Sequence, residues 1–266
     1  MSAATVVLVD SHCHLTTLAE RGEDVGQVLA RAHAAGVHQV VTSADGVEEG
    51  RRAVALAERF PEVFVTIGWH PSQPRPPDDR EAGALADLLH HRQVVGVGEV
   101  GLDYLRRPGV HQTPAPVQLE QLRLMLDLAR TMGLPVVVHD RQAHDDVLAE
   151  LERGAGPPAL LHCFSGDAQL ARRCARAGHL CSFSGIVTFA NAADLRGAAQ
   201  AVPAGHLVVE TDAPFLSPDP YRGRPNEPAR VVVTAARVAA LRGECLATFA
   251  GAVTATARAF YRLPAA

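Results

Sequence analysis

The chain has 266 residues, 47% of them apolar and 20% charged, and a net charge of −4 with histidine neutral. That length suits one large domain and is usual for an eight-stranded α/β barrel, while the charge excludes a global basic field able to hold long duplex nucleic acid. No lysine occurs, all 25 basic residues being arginine, which excludes Schiff-base chemistry, a phosphate-loop lysine and a carboxylated lysine bridging two metals.

In chain order, Thr5–Asp10 predicts a first strand that runs into Asp10-Ser11-His12-Cys13-His14. Asp24 with Gln27 has capping-box spacing for the helix that follows, and Gly36 stops it. Val37–Thr42 predicts a second strand. Asp45 with Glu48 has the same capping spacing, ahead of a helix carrying Ala53, Leu56, Ala57 and Phe60 on one face. A third strand, Val63–Gly68, leads into Trp69-His70 and a proline-rich connection, Pro71–Asp79. The fourth, Val94–Glu99, ends in Gly-Val-Gly-Glu and precedes a second long connection, Tyr104–Pro116. Leu122, Met125, Leu126 and Ala129 mark a helix that Gly133 stops. Strands are then predicted at Val136–His139, Leu160–His162, His179–Phe183 and Leu207–Asp212, with helix stops at Gly154 and Gly178 and a cap at Asp167. A third long loop, Ala213–Pro228, follows the last strand, and Glu227–Tyr261 holds two helices, one more than the eightfold count needs.

The strand runs are nearly continuously apolar, as in parallel sheets buried on both faces. Their alternation with helices implies right-handed crossovers, and eight units close a (β/α)8 barrel, one domain over residues 1–266, with its site at the C-terminal mouth. No apolar stretch approaches the roughly 18 residues of a membrane span, and the N-terminus lacks signal-peptide layout. The five cysteines are odd in number and lack C-x-x-C spacing. A cytoplasmic protein with reduced thiols and no membrane partner is the expectation.

Polar residues cluster where the strands end. His12 and His14, at i and i+2, point to one face of extended backbone with Cys13 turned away. Glu99, His139, His162 and Asp212 close strands four, five, six and eight, and a barrel brings such ends to one mouth. Imidazoles and carboxylates suit Zn²⁺, Mn²⁺ and similar ions. Four histidines and two carboxylates exceed one tetrahedral site and suit two ions about 3.5–4 Å apart. Glu99 can bridge them.

The motifs Asp-Ser-His-Cys-His-Leu, Gly-Glu-Val-Gly-Leu-Asp-Tyr, Leu-Pro-Val-Val-Val-His, His-Cys-Phe-Ser-Gly, Glu-Thr-Asp-Ala-Pro-Phe-Leu and Tyr-Arg-Gly-Arg-Pro-Asn-Glu-Pro occur in this order. Together, over roughly residues 8 to 261, the chain resembles the TatD family of metal-dependent deoxyribonucleases, within the amidohydrolase superfamily. The resemblance implies His12 and His14 on one metal with Asp212, His139 and His162 on the other, and Glu99 between. It also implies that His70, in Gly-Trp-His-Pro, contacts substrate or supports a ligand, and that the substrate is single-stranded DNA or an oligonucleotide digested from an end.

The expected mechanism uses two divalent ions (Zn²⁺, Mn²⁺ or Mg²⁺) to acidify a bridging water for attack on a phosphodiester, with Asp212 as general base and no organic cofactor. Loop arginines Arg106, Arg107, Arg222 and Arg224 are candidates for flanking phosphates, since guanidinium forks match phosphate oxygens. Glu210 is a candidate to orient a ligating imidazole. Asp10 reads equally as a support for the ligands or as a satisfied core polar group. Asp103 and Tyr104 read as loop-shaping residues, Cys13 and Cys163 as packing residues, and Asn226 and Glu227 as a helix entrance. The remaining histidines, His33, His38, His90, His91, His111, His144, His179 and His206, read as surface or capping groups. Two other functions stay open: hydrolysis of an amide, lactone or aminoacyl ester on the same barrel, and a non-catalytic metal-bound scaffold. Oligomeric state is not legible.

Overall fold

All eight apolar runs form strands in the computed structural model, which describes residues 6–106, 112–153 and 156–265. In chain order these are β1 (Leu8–Cys13), α1 (Leu15–Glu20), α2 (Val25–Ala34), β2 (Val37–Asp45), α3 (Gly46–Arg59), β3 (Val63–Gly68), α4 (Asp79–Leu89), β4 (Val94–Asp103) and α5 (Ala115–Met132). They continue as β5 (Val136–Arg141), α6 (His144–Glu152), β6 (Ala159–Leu161), α7 (Ala168–Arg176), β7 (Leu180–Phe183), α8 (Ala193–Ala201), β8 (Leu207–Val209), α9 (Val231–Arg242) and α10 (Leu246–Tyr261). The strands form one parallel sheet in sequence order, β1 to β8, the (β/α)8 barrel expected. No single helix among the described residues is long and apolar enough to cross a membrane.

Two apolar layers hold the barrel. The larger lies between strands and helices and contains the Leu122, Met125, Leu126 and Ala129 face of α5 and Ala53 and Ala57 of α3. The smaller takes one residue from each strand: Val9, Val41, Phe64, Val95, Val137, Leu160, Leu180 and Val208. Ala257 and Tyr261 of α10, together with Leu263 beyond it, complete this layer, so the helix in excess of the eightfold count plugs the barrel floor. Each Val, Leu or Phe of this layer contributes roughly 1.5–3 kcal/mol when fully buried.

Side chains repeat on one face with period two, and two residues beyond this layer seven of the eight positions are polar, Val97 of β4 being the exception. Ser11 bonds Ser182 at 3.1 Å and Thr66 bonds Ser43 at 3.3 Å, while His139, His162 and Glu210 occupy the same level. In β4 a bulge between Val97 and Val100 breaks the register and turns Glu99 inward. The seam between β8 and β1 is joined by side chains and loop backbone. Asp10 Oδ1 accepts from Thr211 N at 2.8 Å and Oδ2 from Thr211 Oγ1 at 2.6 Å, and Ser11 Oγ donates to Val209 O at 2.9 Å. Asp212 N donates to His12 O at 3.0 Å and His14 N to Ala213 O at 2.7 Å.

Several boundaries differ from the sequence reading. β1, β2, β4 and β5 run past Asp10, Thr42, Glu99 and His139, because polar residues inside this barrel have partners and do not end a strand. β6 and β8 stop before His162 and Asp212, and Cys163 and Asp212 take φ of 44° and 57°, outside the β region. Asp24 and Asp167 cap α2 and α7 as expected. Asp45 makes no side-chain cap on α3; its carboxylate accepts from His70 N and Gln73 Nε2 instead. The capping box lies at Asp78 and Glu81, opening α4. Gly154 lies outside the described residues.

Candidate metal centre

Glu99 stands at the middle of the barrel mouth. Its Oε1 lies 2.6 Å from His139 Nδ1, 2.8 Å from His162 Nε2 and 3.4 Å from His70 Nε2, and its Oε2 lies 3.6 Å from His12 Nε2 and 3.8 Å from His14 Nε2. Asp212 Oδ1 is 3.3 Å from His14 Nε2 and 3.7 Å from His12 Nε2. The six residues named from the sequence therefore meet at one place. Three trios within them and His70 have ligand atoms close enough to share an ion: His12, His14 and Glu99; His12, His162 and Asp212; and His70, Glu99 and His139.

Backbone geometry makes this approach possible. Gly101 pairs with His139 across the β4–β5 ladder, and at its φ of 143° a Cβ would sit 2.0 Å from His139 O. A side chain there would push β5, and with it His139, away from Glu99.

The donor set fits cations. His12 Nε2 and His14 Nε2 are 3.3 Å apart, and His139 Nδ1 and His162 Nε2 are 3.4 Å apart. Imidazole nitrogens aimed at each other this closely need a shared proton or cation between them. Ligands about 2.0–2.2 Å from a common ion stand at comparable separations. The far nitrogen of His139 faces Asp103 Oδ2 at 3.3 Å, the carboxylate–histidine pairing that fixes a ligating tautomer. Asp103 thus does more than shape a loop. Glu210, fully buried, lies 3.5 Å from His162 Nδ1, too long for a good hydrogen bond, and its Oε1 accepts from Cys163 N at 2.7 Å.

Electrostatics follow the same arrangement. Burial pushes the Glu99 carboxyl up, but the imidazoles of His162 and His70, with hydrogen bonds from His12 and His139, outweigh it and hold Glu99 well below the usual range. Asp212 is held low against its burial by His14. Burial opposes protonation of His162 and His14, yet the carboxylates raise both, His162 strongly. Burial with the nearby His162 lowers His12.

A cavity of about 480 Å³ opens above this floor. Asp45, His70, Asp140 and Arg141 line one side of it and Ile186, Phe215 and Leu216 another. Arg106, Arg222 and Arg224, proposed from the sequence as phosphate ligands, are exposed but absent from the lining; the Arg222 guanidinium stacks on the Phe189 ring at 3.6 Å. Arg107 and His111 lie outside the described residues. Arg141 is the arginine on the rim instead. A sequence reading has one signal for it, since β5 alternates and Arg141 follows His139 by two. Cys163, expected in packing, lines the cavity, because its φ of 44° turns it off the strand path. Cys13 is fully buried in the outer core. Asp10 proves to be a satisfied polar group at the seam. Asn226 bonds Thr211 O and Phe215 O, and Glu227 pairs with Arg31 at 2.7 Å.

The family model described as TatD related DNase matches residues 9–262. The metal-dependent hydrolase TatD of Mycobacterium tuberculosis is 40% identical over 96% of this chain and 98% of its own length. The 3'-5' ssDNA/RNA exonuclease TatD of Cronobacter sakazakii is 36% identical over 86% of this chain and 88% of its own. Among solved structures, the TatD homologue YjjV of Escherichia coli K12 superposes with a TM-score of 0.88 at 30% identity, covering 97% of this chain and 98% of that one. A barrel whose mouth gathers four imidazoles and two carboxylates, matched along nearly its whole length, places this chain in the TatD family of metal-dependent hydrolases.

Proposed function

We propose that the protein is a two-metal phosphodiesterase that shortens single-stranded DNA or oligonucleotides from the 3' end. The observation that carries this reading is the convergence on Glu99. One carboxylate lies within 3.8 Å of five imidazole nitrogens, more donors than one tetrahedral ion accepts. His12, His14 and Asp212 would hold one ion and His139, with His70, the other; Glu99 would bridge, and His162 lies within reach of both groups.

Such ions, when bound, acidify a water and neutralise charge on phosphoryl oxygens. The chain supplies the rest. Asp212 lines the cavity and stays ionised at neutral pH, so it is the residue placed to take a proton from an attacking water. Asp103 holds the His139 ring in one orientation. Arg141, exposed on the rim with no ion pair among the described residues, is placed to meet a non-bridging phosphate oxygen. The cavity size falls among small-ligand pockets, roughly 300–1,000 Å³, and admits a strand end rather than a duplex. The Cronobacter relative, a 3'-5' ssDNA/RNA exonuclease, supports a single-stranded substrate and a 3' start.

The test is digestion of 5'- and 3'-labelled single-stranded DNA by metal-stripped protein, with Mn²⁺, Mg²⁺ or Zn²⁺ restored and His12→Ala as control. Ion-dependent shortening from the 3' end, lost in His12→Ala, is expected. Stoichiometric metal uptake without cleavage under any ion would overturn the nuclease reading in favour of an amide, lactone or aminoacyl ester. DNA binding without cleavage of any of these would favour the scaffold.

A further inference from the structure

We propose that the apolar wall of the cavity is a nucleobase subsite with Phe215 as its stacking surface, an inference that rests on the nuclease reading above. Phe215 is 42% exposed, one of two exposed large apolar side chains among the described residues. The other, Leu124, lies on the outer helix α5, away from the cavity. Phe215 instead lines the cavity beside Ile186 and Leu216, its ring edge-on to His14 with centroids 5.8 Å apart. An aromatic ring left in water next to a metal-type centre has no folding benefit from that exposure.

The backbone that carries the ring is held, not loose. Phe215 N donates to Asp212 O at 2.8 Å, and Phe215 O accepts from Asn226 Nδ2 at 2.7 Å, Asn226 being buried. The next residue, Leu216, takes φ of 53°, and its carbonyl lies so close to Gly185 that a Cβ there would meet it at 2.3 Å. The loop after β8 is thereby locked against the turn after β7. The Arg21 guanidinium stacks on the ring at 5.1 Å. The apolar wall is preformed.

The cavity is divided by chemistry. Loops after β7 and β8 make the apolar side, and residues of β2 to β5 and their loops make the side with Asp45, His70, Asp140 and Arg141. A nucleotide is divided in the same way, with a planar π face and an anionic phosphodiester. Base–aromatic stacking is tolerant of base identity, because every base offers that face.

The experiment compares wild type, Phe215→Ala and Phe215→Trp on oligonucleotides whose terminal nucleotide, at the end wild type shortens, is intact or abasic. For wild type, kcat/KM should fall roughly tenfold from intact to abasic terminus. That ratio should collapse toward one in Phe215→Ala and be retained in Phe215→Trp. A binding measurement needs no turnover: with metal-stripped protein, terminal 2-aminopurine fluorescence should be quenched by wild type and not by Phe215→Ala. An unchanged intact-to-abasic ratio in Phe215→Ala, or equal quenching by both proteins, would overturn the subsite while leaving the nuclease reading standing. Wild type that cuts neither oligonucleotide with any ion would overturn both, and the wild-type arm separates the two failures.

Discussion

Replacing Asp10 by alanine should loosen the barrel at the β8–β1 seam, which side chains and loop backbone hold together. Asp10 is fully buried and accepts both the N–H and the hydroxyl of Thr211. Alanine leaves two buried donors without an acceptor, each worth about 1–3 kcal/mol of desolvation. The combined loss lies in the lower half of that sum, about 3 kcal/mol, because the substitution also removes an acid whose own pKa burial drives well up. At about 2–4 °C per kcal/mol for a protein of this size, the melting temperature of metal-stripped protein should fall roughly 6–12 °C. Asp10→Asn keeps an oxygen for the Thr211 N–H, and the Thr211 hydroxyl can turn to accept from the new amide, so its loss should stay near 1 kcal/mol. Thr211 precedes Asp212, and Asp10 is two residues before His12. Equilibrium dialysis should therefore show weaker metal uptake in Asp10→Ala than in Asp10→Asn. If Ala and Asn melt together, or Ala melts within about 2 °C of wild type, acceptor geometry at the seam is not what closes the barrel.

Asp212→Asn should retain bound metal, measured by elemental analysis, and lose turnover by at least a hundredfold, in the range of a positioned acid–base group; unchanged turnover would remove Asp212 from the base role. Arg141→Ala should raise KM for oligonucleotides about tenfold with a smaller change in kcat, and Arg141→Lys should recover only part, since an ammonium lacks the planar fork; an unchanged KM would take Arg141 out of substrate binding. The stability of metal-free protein should depend on pH in both directions. Raised imidazoles, His162 above all with His14, contribute stability that is complete below the ordinary value of about 6.5 and lost as pH rises through their raised values. Depressed Glu99 and Asp212 contribute stability that is complete above about 4.3 and lost as pH falls through their lowered values. These two contributions should both be complete between those limits, against an opposing cost from lowered His12 that grows as pH falls below about 6.5, and Zn²⁺ uptake at neutral pH should release protons measurable in weak buffer; a metal-free melting temperature that climbs steadily to pH 8 would contradict the assignment.

How much of this was legible before the fold was known depended on what each residue's partner was. The apolar runs and helical faces are local patterns, and strand–helix alternation admits few topologies, so the barrel and its mouth followed from the sequence alone. His12, His14, Glu99, His139, His162 and Asp212 were legible as a set because polar groups at the ends of buried strands need a common purpose. Local pattern carries no information about partners across the barrel. Asp45 has the spacing of a cap, yet its carboxylate goes to the His70 loop, because folding brought two unpaired N–H donors to it. Asp10 faces Thr211, 201 residues away, and nothing near Asp10 in the chain indicates it. The bulge in β4 centres Glu99 among the imidazoles, and the path of the loops carries Arg222 onto Phe189 while leaving Arg141 on the rim. The sequence by itself determined which chemistry this protein carries and on what scaffold. Tertiary structure alone decided which neighbours tune that chemistry, because register, bulges and loop packing act between residues that only the closed barrel brings together.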